Sequence, residues 1–405
     1  MRRTPALVAA AAAVLGLAVA PVASAAGGHT SSRSDRIGVT ASALQRQLAT
    51  GVLAPASKLA SPAGQDTLPT DPNAYGRIAG DNRYETAVEV SAFLTYCLNQ
   101  DPATCSGLGD TDNPVLDVFI AAGSNWPDAL GAGPVAAGLG PLLLVPSTGT
   151  VPAAVLSELD RIGPNRVVVF GGAGAVSTSV VNQVKAHTKL KQVLPIAGAD
   201  RYDTAAQATT TNNAWWSAED ADGDGNPDGH GLDMVVIASG ETYADALAGG
   251  GAAAGARGSL LLTKGASLPA VTKSALQTIK PPKIVIAGGT GVVSDTVLNA
   301  VKAASPTSTV VRAAGTDRFG TAIAISKDSF PSGTSEAFLV YAYNFPDALA
   351  VAPLAGYLQG STLLAKTACV TSATRAEVNR LSPDYVTGVG GPGVVSDNAI
   401  TLGVC

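Results

Sequence analysis

The clearest constellation for chemistry is acidic. Carboxylates alternate along Asp220-Ala221-Asp222-Gly223-Asp224-Gly225-Asn226-Pro227-Asp228. Oxygen ligands at the first, third, fifth, seventh and ninth places, with glycine at the sixth, match the opening of a calcium loop. The twelfth place is Gly231 rather than a bidentate Glu, so the closing ligand must come from elsewhere, with Asp233 the candidate. The competing reading is a solvated acidic insertion. Three arginines, Arg83, Arg201 and Arg318, could read anionic groups bidentately. Equally, they could staple loops by pairing with a carboxylate of the same copy: Arg83 with Asp128, Arg201 with Asp245, Arg318 with Asp347. Gly171-Gly172-Ala173-Gly174 resembles a phosphate cradle, but it lacks the G-x-G-x-x-G spacing and a following acidic ribose reader, so it reads as a tight strand-to-helix turn. For catalysis little is available. A zinc hydrolase needs His and Glu ligands, and the chain has His29, His187 and His230 alone, with no H-E-x-x-H, G-x-S-x-G or P-loop pattern.

These residues recur in order. Arg83-Tyr84-Glu85-Thr86-Ala87 returns as Arg201-Tyr202-Asp203-Thr204-Ala205 and as Arg318-Phe319-Gly320-Thr321-Ala322. Trp126-Pro127-Asp128-Ala129-Leu130 returns as Tyr243-Ala244-Asp245-Ala246-Leu247 and Phe345-Pro346-Asp347-Ala348-Leu349. Leu142-Leu143-Leu144 returns as Leu260-Leu261-Leu262 and Thr362-Leu363-Leu364. A Gly-Gly pair and then a Val-Ser pair close each copy, at Ser177, Ser294 and Ser396. A period of about 117 residues is too long for a solenoid repeat, so each copy buries its own core.

The elements that must position these motifs alternate between short apolar runs and helices. In the first copy, strands are expected at 117–122, 142–145 and 166–170. Helices are expected from Pro127 to Leu139, from Val151 to Ile162, and from Ser177, as cap, to about Ala186. An Ile78-Ala79 strand and a Tyr84–Leu94 helix in front complete about four βα units. Strands apolar on both faces imply a parallel sheet covered on both sides. The fold class is therefore α/β, with three tandem Rossmann-like or flavodoxin-like three-layer domains. Their motifs fall at the carboxyl edge of the sheet, where such sheets bind ligands. The leucine triplets read as core strand from their pattern alone.

The divisions follow: residues 1–25 a signal peptide, 26–75 a linker or arm, and copies at 76–195, 196–311 and 312–405. Arg2 and Arg3, the apolar run Ala6–Ala20 and Ala23-Ser24-Ala25 form the export signal. No later stretch is apolar enough to span a bilayer, so no membrane insertion is expected. The net charge of −5 falls to about −7 without the signal, a poor match to nucleic acid. Four cysteines in an exported chain suggest two disulfides. Cys97–Cys105 and Cys369–Cys405 are the economical pairing among three connectivities.

The repeated motifs resemble the cell wall binding repeat 2 family over residues 77–405. The resemblance implies a pseudo-trimer of modules on a secreted, wall-associated protein of Gram-positive bacteria. Such a protein is non-catalytic and held by an anionic, teichoic-acid-like secondary wall polymer. It also implicates the leucine segments in polymer binding: Leu142, Leu143 and Leu144, then Leu260, Leu261 and Leu262, then Leu363 and Leu364, with Thr362 a departure. Lys264 and Lys366, just after two of these segments, could supply positive charge that the acidic chain otherwise lacks. No cofactor is required, calcium apart. The alternative function is a structural or adhesive surface protein that binds another protein. A third is a modifier of wall amidases, or an enzyme of that kind.

Overall fold

A computed structural model describes residues 75–95, 117–137, 139–189, 191–217 and 231–405. The signal peptide, the arm up to residue 74, the Cys97–Cys105 pairing and the calcium-like loop Asp220–Asp228 lie outside the described residues.

The elements follow the expected alternation. β1 is Tyr75–Ile78 and α1 Arg83–Leu94. The first copy continues with β2 Asp117–Ala122, α2 Trp126–Ala129, α3 Ala132–Ala136, β3 Leu142–Val145, α4 Ala153–Ile162, β4 Arg166–Phe170, α5 Thr178–Ala186 and β5 Gln192–Ile196. The second has α6 Arg201–Ser217, β6 Met234–Ser239, α7 Ala244–Gly255, β7 Gly258–Thr263, α8 Ala270–Ile279, β8 Lys283–Ala287, α9 Asp295–Ala304 and β9 Thr309–Ala313. The third has α10 Arg318–Ser329, β10 Glu336–Tyr341, α11 Pro346–Tyr357, β11 Ser361–Ala365, α12 Ser372–Leu381, β12 Tyr385–Val389 and α13 Asp397–Ile400. Each Val-Ser serine caps its helix as expected, accepting from Val180 N, Val297 N and Ala399 N.

Three parallel four-stranded sheets result, ordered β3-β2-β4-β5, β7-β6-β8-β9 and β1-β12-β10-β11. The last order corrects the placement of the Ile78 strand in front of the first copy. β1 pairs with β12, in register Ile78↔Val389, and so completes the third sheet. β5 and β9 occupy the matching edges of the first and second sheets. Each strand that precedes an Arg-Tyr motif thus completes a sheet, and the helix after the motif covers the next unit. In the third unit β1 takes that edge place, and the ring closes.

Sheets buried on both faces sort their residues by period two. In the second unit Met234, Val236, Ala238, Leu260 and Leu262 join the core shared by all three units, while Val235, Ile237, Leu261, Ile284 and Ile286 pack outward with Val297 and Val301. The third unit divides likewise, with Phe338, Val340 and Leu364 inward and Leu339 and Leu363 outward. Helices α3, α7 and α11 meet one another between the sheets. Their Ala and Gly content is what permits this. A Cβ on Gly133 would stand 2.4 Å from the Ala352 Cβ, and one on Gly356 would stand 2.7 Å from those of Ala137 and Ala254.

The single helix expected over Pro127–Leu139 is split into α2 and α3. Pro353 stands at the place of Pro134 and leaves α11 continuous, so the proline alone does not divide the helix; Gly131 and Gly133, where α11 has Ala350 and Ala352, weaken the first copy's helix beside it. The Cys369–Cys405 disulfide is present, and Val370 bridges Val404 beside it.

Candidate functional site

The repeated motifs converge at the carboxyl edges of the sheets, as expected, and hold one another there. Arg83 donates from Nη1 to the Gly123 carbonyl at 2.5 Å, Arg201 to Gly240 at 2.6 Å and Arg318 to Ala342 at 2.7 Å. Each acceptor is the residue directly after the first strand of its unit, β2, β6 or β10. The Asp of the second motif lies over the Gly-Gly turn. A Cβ on Gly171 would meet Asp128 Oδ2 at 2.9 Å, and on Gly288 or Gly390 it would meet Asp245 or Asp347 Oδ2 at 2.7 Å. Those glycines have φ of +91°, +109° and +109°. Left-handed backbone and the carboxylate above it both exclude a side chain. The turn reading of Gly171–Gly174 therefore stands.

The expected Arg–Asp staples do not form: no pair of these arginines and aspartates, within or between copies, is an ion pair within 4 Å, and the arginine charge that acts on Asp347 and on Asp245 comes from another unit. Burial pushes the Asp347 carboxyl up to about 6, and the opposing charge is Arg83, from the first unit. Burial likewise raises Asp245, against a hydrogen bond from Thr321 and the Arg318 charge, both in the third unit. The reason is topological: the helix that starts with Arg and the helix that starts with Asp meet across the ring. The repeated Thr has a matching role. Thr86, Thr204 and Thr321 accept from the amides of Gly80, Gly198 and Gly315 at 3.1–3.3 Å.

A further arginine, which the motif spacing did not single out, clamps each seam it occupies. Arg312 on β9 donates to the carbonyls of Gly288 and Val293, and pairs with Asp295 at 3.0 Å. Arg77 on β1 donates to the Gly390 carbonyl and pairs with Asp397 at 2.8 Å. Pro195 stands at this place on β5, which hides the pattern in a two-copy comparison.

The leucine segments require a correction. Leu142, Leu143, Leu144, Leu260, Leu261, Leu262, Leu363 and Leu364 are at most 1% exposed, and Thr362 is 5% exposed. In strands covered on both faces, none of these side chains can touch a polymer. What the segments position is the loop after each strand, which is tied to the helix cap: Ser177 N donates to Ser147 O, Ser294 N to Gly265 O and Ser396 N to Thr367 O. Lys264 and Lys366 lie in these loops. Lys264 is exposed, with Nζ 5.9 Å from the centre of the Tyr202 ring, and Lys366 is half-buried. Asp233, the candidate closing ligand for calcium, instead faces Arg257, 3.8 Å from its Nε. Among the described residues, no group of three or more His, Cys, Asp and Glu side chains is arranged to hold a metal ion. Nor is any described helix long and apolar enough to cross a membrane.

The comparisons agree with this architecture. The model of the family described as cell wall binding domain 2 matches residues 77–181, 196–298 and 312–400. N-acetylmuramoyl-L-alanine amidase LytC of Bacillus subtilis (strain 168) is 30% identical over 293 residues, covering 72% of this chain and 50% of that protein. The amidase enhancer of the same organism is 24% identical over 318 residues, covering 77% of this chain and 39% of its own length. The match therefore spans half or less of these relatives. Among solved structures, Cwp6 from Clostridium difficile aligns with a TM-score of 0.68 at 23% identity, over 80% of this chain and 46% of that one. Cwp8 from the same organism aligns at 0.64 and 21%, over 79% and 50%.

Proposed function

Because the chain belongs to the cell wall binding domain 2 family, we propose that it is an exported, non-catalytic protein that holds non-covalently to the bacterial wall by binding an anionic secondary polymer. The observation that carries this reading is the gathering of one loop set, three times over, at the carboxyl edges of sheets arranged in a ring. The basic groups at that edge are Arg83, Arg201, Arg318, Lys264 and Lys366. Each arginine spends one N–H on a backbone carbonyl, which leaves further donors of the guanidinium fork for an anion. Local positive charge matters because the chain as a whole carries −5 and would otherwise repel an anionic polymer. Calcium held at Asp220, Asp222, Asp224, Asn226 and Asp228 is the second means of bridging like charges in this reading.

Amidase activity is named for one relative, and the match covers half of that protein. This chain takes the holding role alone.

The test is co-sedimentation of the exported chain with purified walls, either native or stripped of secondary polymers, with calcium or with a chelator. Pelleting with native walls and its loss on stripping is the expected result. Equal failure with both would remove the anchoring reading and leave protein adhesion in its place.

A further inference from the structure

Aromatic residues are scarce, at 5% of the chain, yet one cluster gathers where the three units meet. Trp126, Tyr243 and Phe345 hold the same motif position, one in each unit. Trp126 stands 6.0 Å from Tyr243, and Tyr243 stands 6.0 Å from Phe345, both edge to face. All three rings are partly exposed. The cluster extends on the third unit's side. The Tyr243 hydroxyl donates to the Tyr343 carbonyl at 2.8 Å, and the Tyr343 ring is 5.6 Å from Tyr341. Tyr343 is 48% exposed. Two of these rings, Trp126 and Tyr343, are reached by the arginines that tie the loops, Arg201 and Arg318.

Two further features accompany the rings. A polar residue precedes each axial ring, Asn125, Thr242 and Asn344, and all three are exposed. The exposed Asn125 side chain makes no capping bond. Guanidinium groups cover one face of two rings, Arg201 over Trp126 at 5.3 Å from its centre and Arg318 over Tyr343 at 4.9 Å, which leaves the opposite faces and the Tyr243 and Phe345 rings for a ligand.

We propose that this cluster is a subsite for a sugar ring, a pyranose of a wall glycan. The C–H face of a pyranose is apolar and carries slightly positive hydrogens, which suit the negative face of an aromatic ring. Its hydroxyl or acetamido groups suit the neighbouring amide and hydroxyl side chains. The cationic rim fits a phosphate or carboxylate substituent on the same glycan. A protein partner fits less well. Tyr343 and Val404 are the exposed large hydrophobics among the described residues, too little for a contiguous apolar docking patch. The subsite rests on the wall-binding reading and names the sugar part of the ligand.

The chain has three tryptophans, Trp126, Trp215 and Trp216, so indole N–H resonances of the full exported chain report the site directly. Two soluble probes would be titrated: a trisaccharide of N-acetylglucosamine, and the secondary polymer released from walls. A saturable shift of the Trp126 indole with either probe, with Trp215 and Trp216 still, supports the subsite, and the probe that causes it identifies the source of the sugar. Tyr343→Ala and Asn125→Ala, both at exposed positions, are each expected to weaken the response about tenfold while the chain stays folded. Silence of Trp126 with both probes overturns the proposal, as does a shift that Tyr343→Ala leaves unchanged. A Trp126 shift that follows protein concentration without sugar also overturns it, and assigns the face to a second copy of the chain. Wall sedimentation run in parallel separates the two readings. Pelleting with a silent Trp126 rejects the sugar site and keeps anchoring, whereas a shift without pelleting keeps the site and rejects anchoring.

Discussion

Ile78 gives the sharpest test of the ring. It is 0% exposed, on a strand paired with β12, more than 300 residues away in sequence. Ile78→Ala removes buried methyl and methylene groups from a site packed on both sides, a loss of about 3 kcal/mol. That corresponds to about a hundredfold fall in the protection of amides that open with the strand. If β1 completes the third sheet, the fall will appear in Tyr385–Val389 of β12 and spread to β10. It will not be centred on β2 and β4, which follow β1 in sequence. Arg77→Ala should act in the same place, because its partners are Gly390 and Asp397. Hydrogen exchange read by mass spectrometry on both variants decides the matter. Loss of protection confined to β2 and β4, with β12 unaltered, would refute the closure.

Other outcomes follow from single groups. Burial, with the Asp384 charge as a secondary cause, pushes the Glu336 carboxyl up to about 8 from 4.5. The folded state then holds a proton that the unfolded state releases above about pH 4.5, so this group's contribution to stability falls as pH rises from there to about 8 and is level above that. Glu336→Gln should flatten that fall and raise stability at pH 8 by a few kcal/mol, at about 1.4 kcal/mol per unit, as read by denaturant melts across pH. Gly133→Val puts a branched side chain where a Cβ already meets Ala352 at 2.4 Å, and should cost at least about 2 kcal/mol through overpacking in a thermal melt. Cys369→Ser opens a loop with a sequence separation of 36. The expected loss is about 3–4 kcal/mol, with exchange rising first around Val404. Calorimetry with millimolar calcium should show heat and a raised melting temperature, and neither should survive Asp222→Asn with Asp224→Asn.

The sequence carried the central elements well, because strands such as 117–122 and 142–145 are apolar runs and helices such as α5, α9 and α13 begin at a readable serine cap. It carried the assembly poorly. Nothing local to Tyr75–Ile78 says which sheet the strand enters, since an edge strand of a parallel sheet has the same pattern in any of the three. The Arg–Asp pairing failed for the same reason: spacing along the chain cannot tell a contact within a unit from one between units. The leucine triplets were legible as buried strand from their pattern, and burial upholds that over direct contact with a ligand. The axial aromatics were visible as motif letters, but their meeting depends on the threefold arrangement, which no single copy encodes.

The closure by β1 also determines where force enters the molecule. Tension applied through the arm that precedes β1 enters the described fold at that strand. β1 lies parallel to β12, so such a pull loads the row of interstrand hydrogen bonds together, in shear, instead of opening them one at a time. It is also shared at once with the unit farthest along the chain, which the Cys369–Cys405 bond ties down at its far end. A protein pulled by that arm would therefore be gripped first at its third unit.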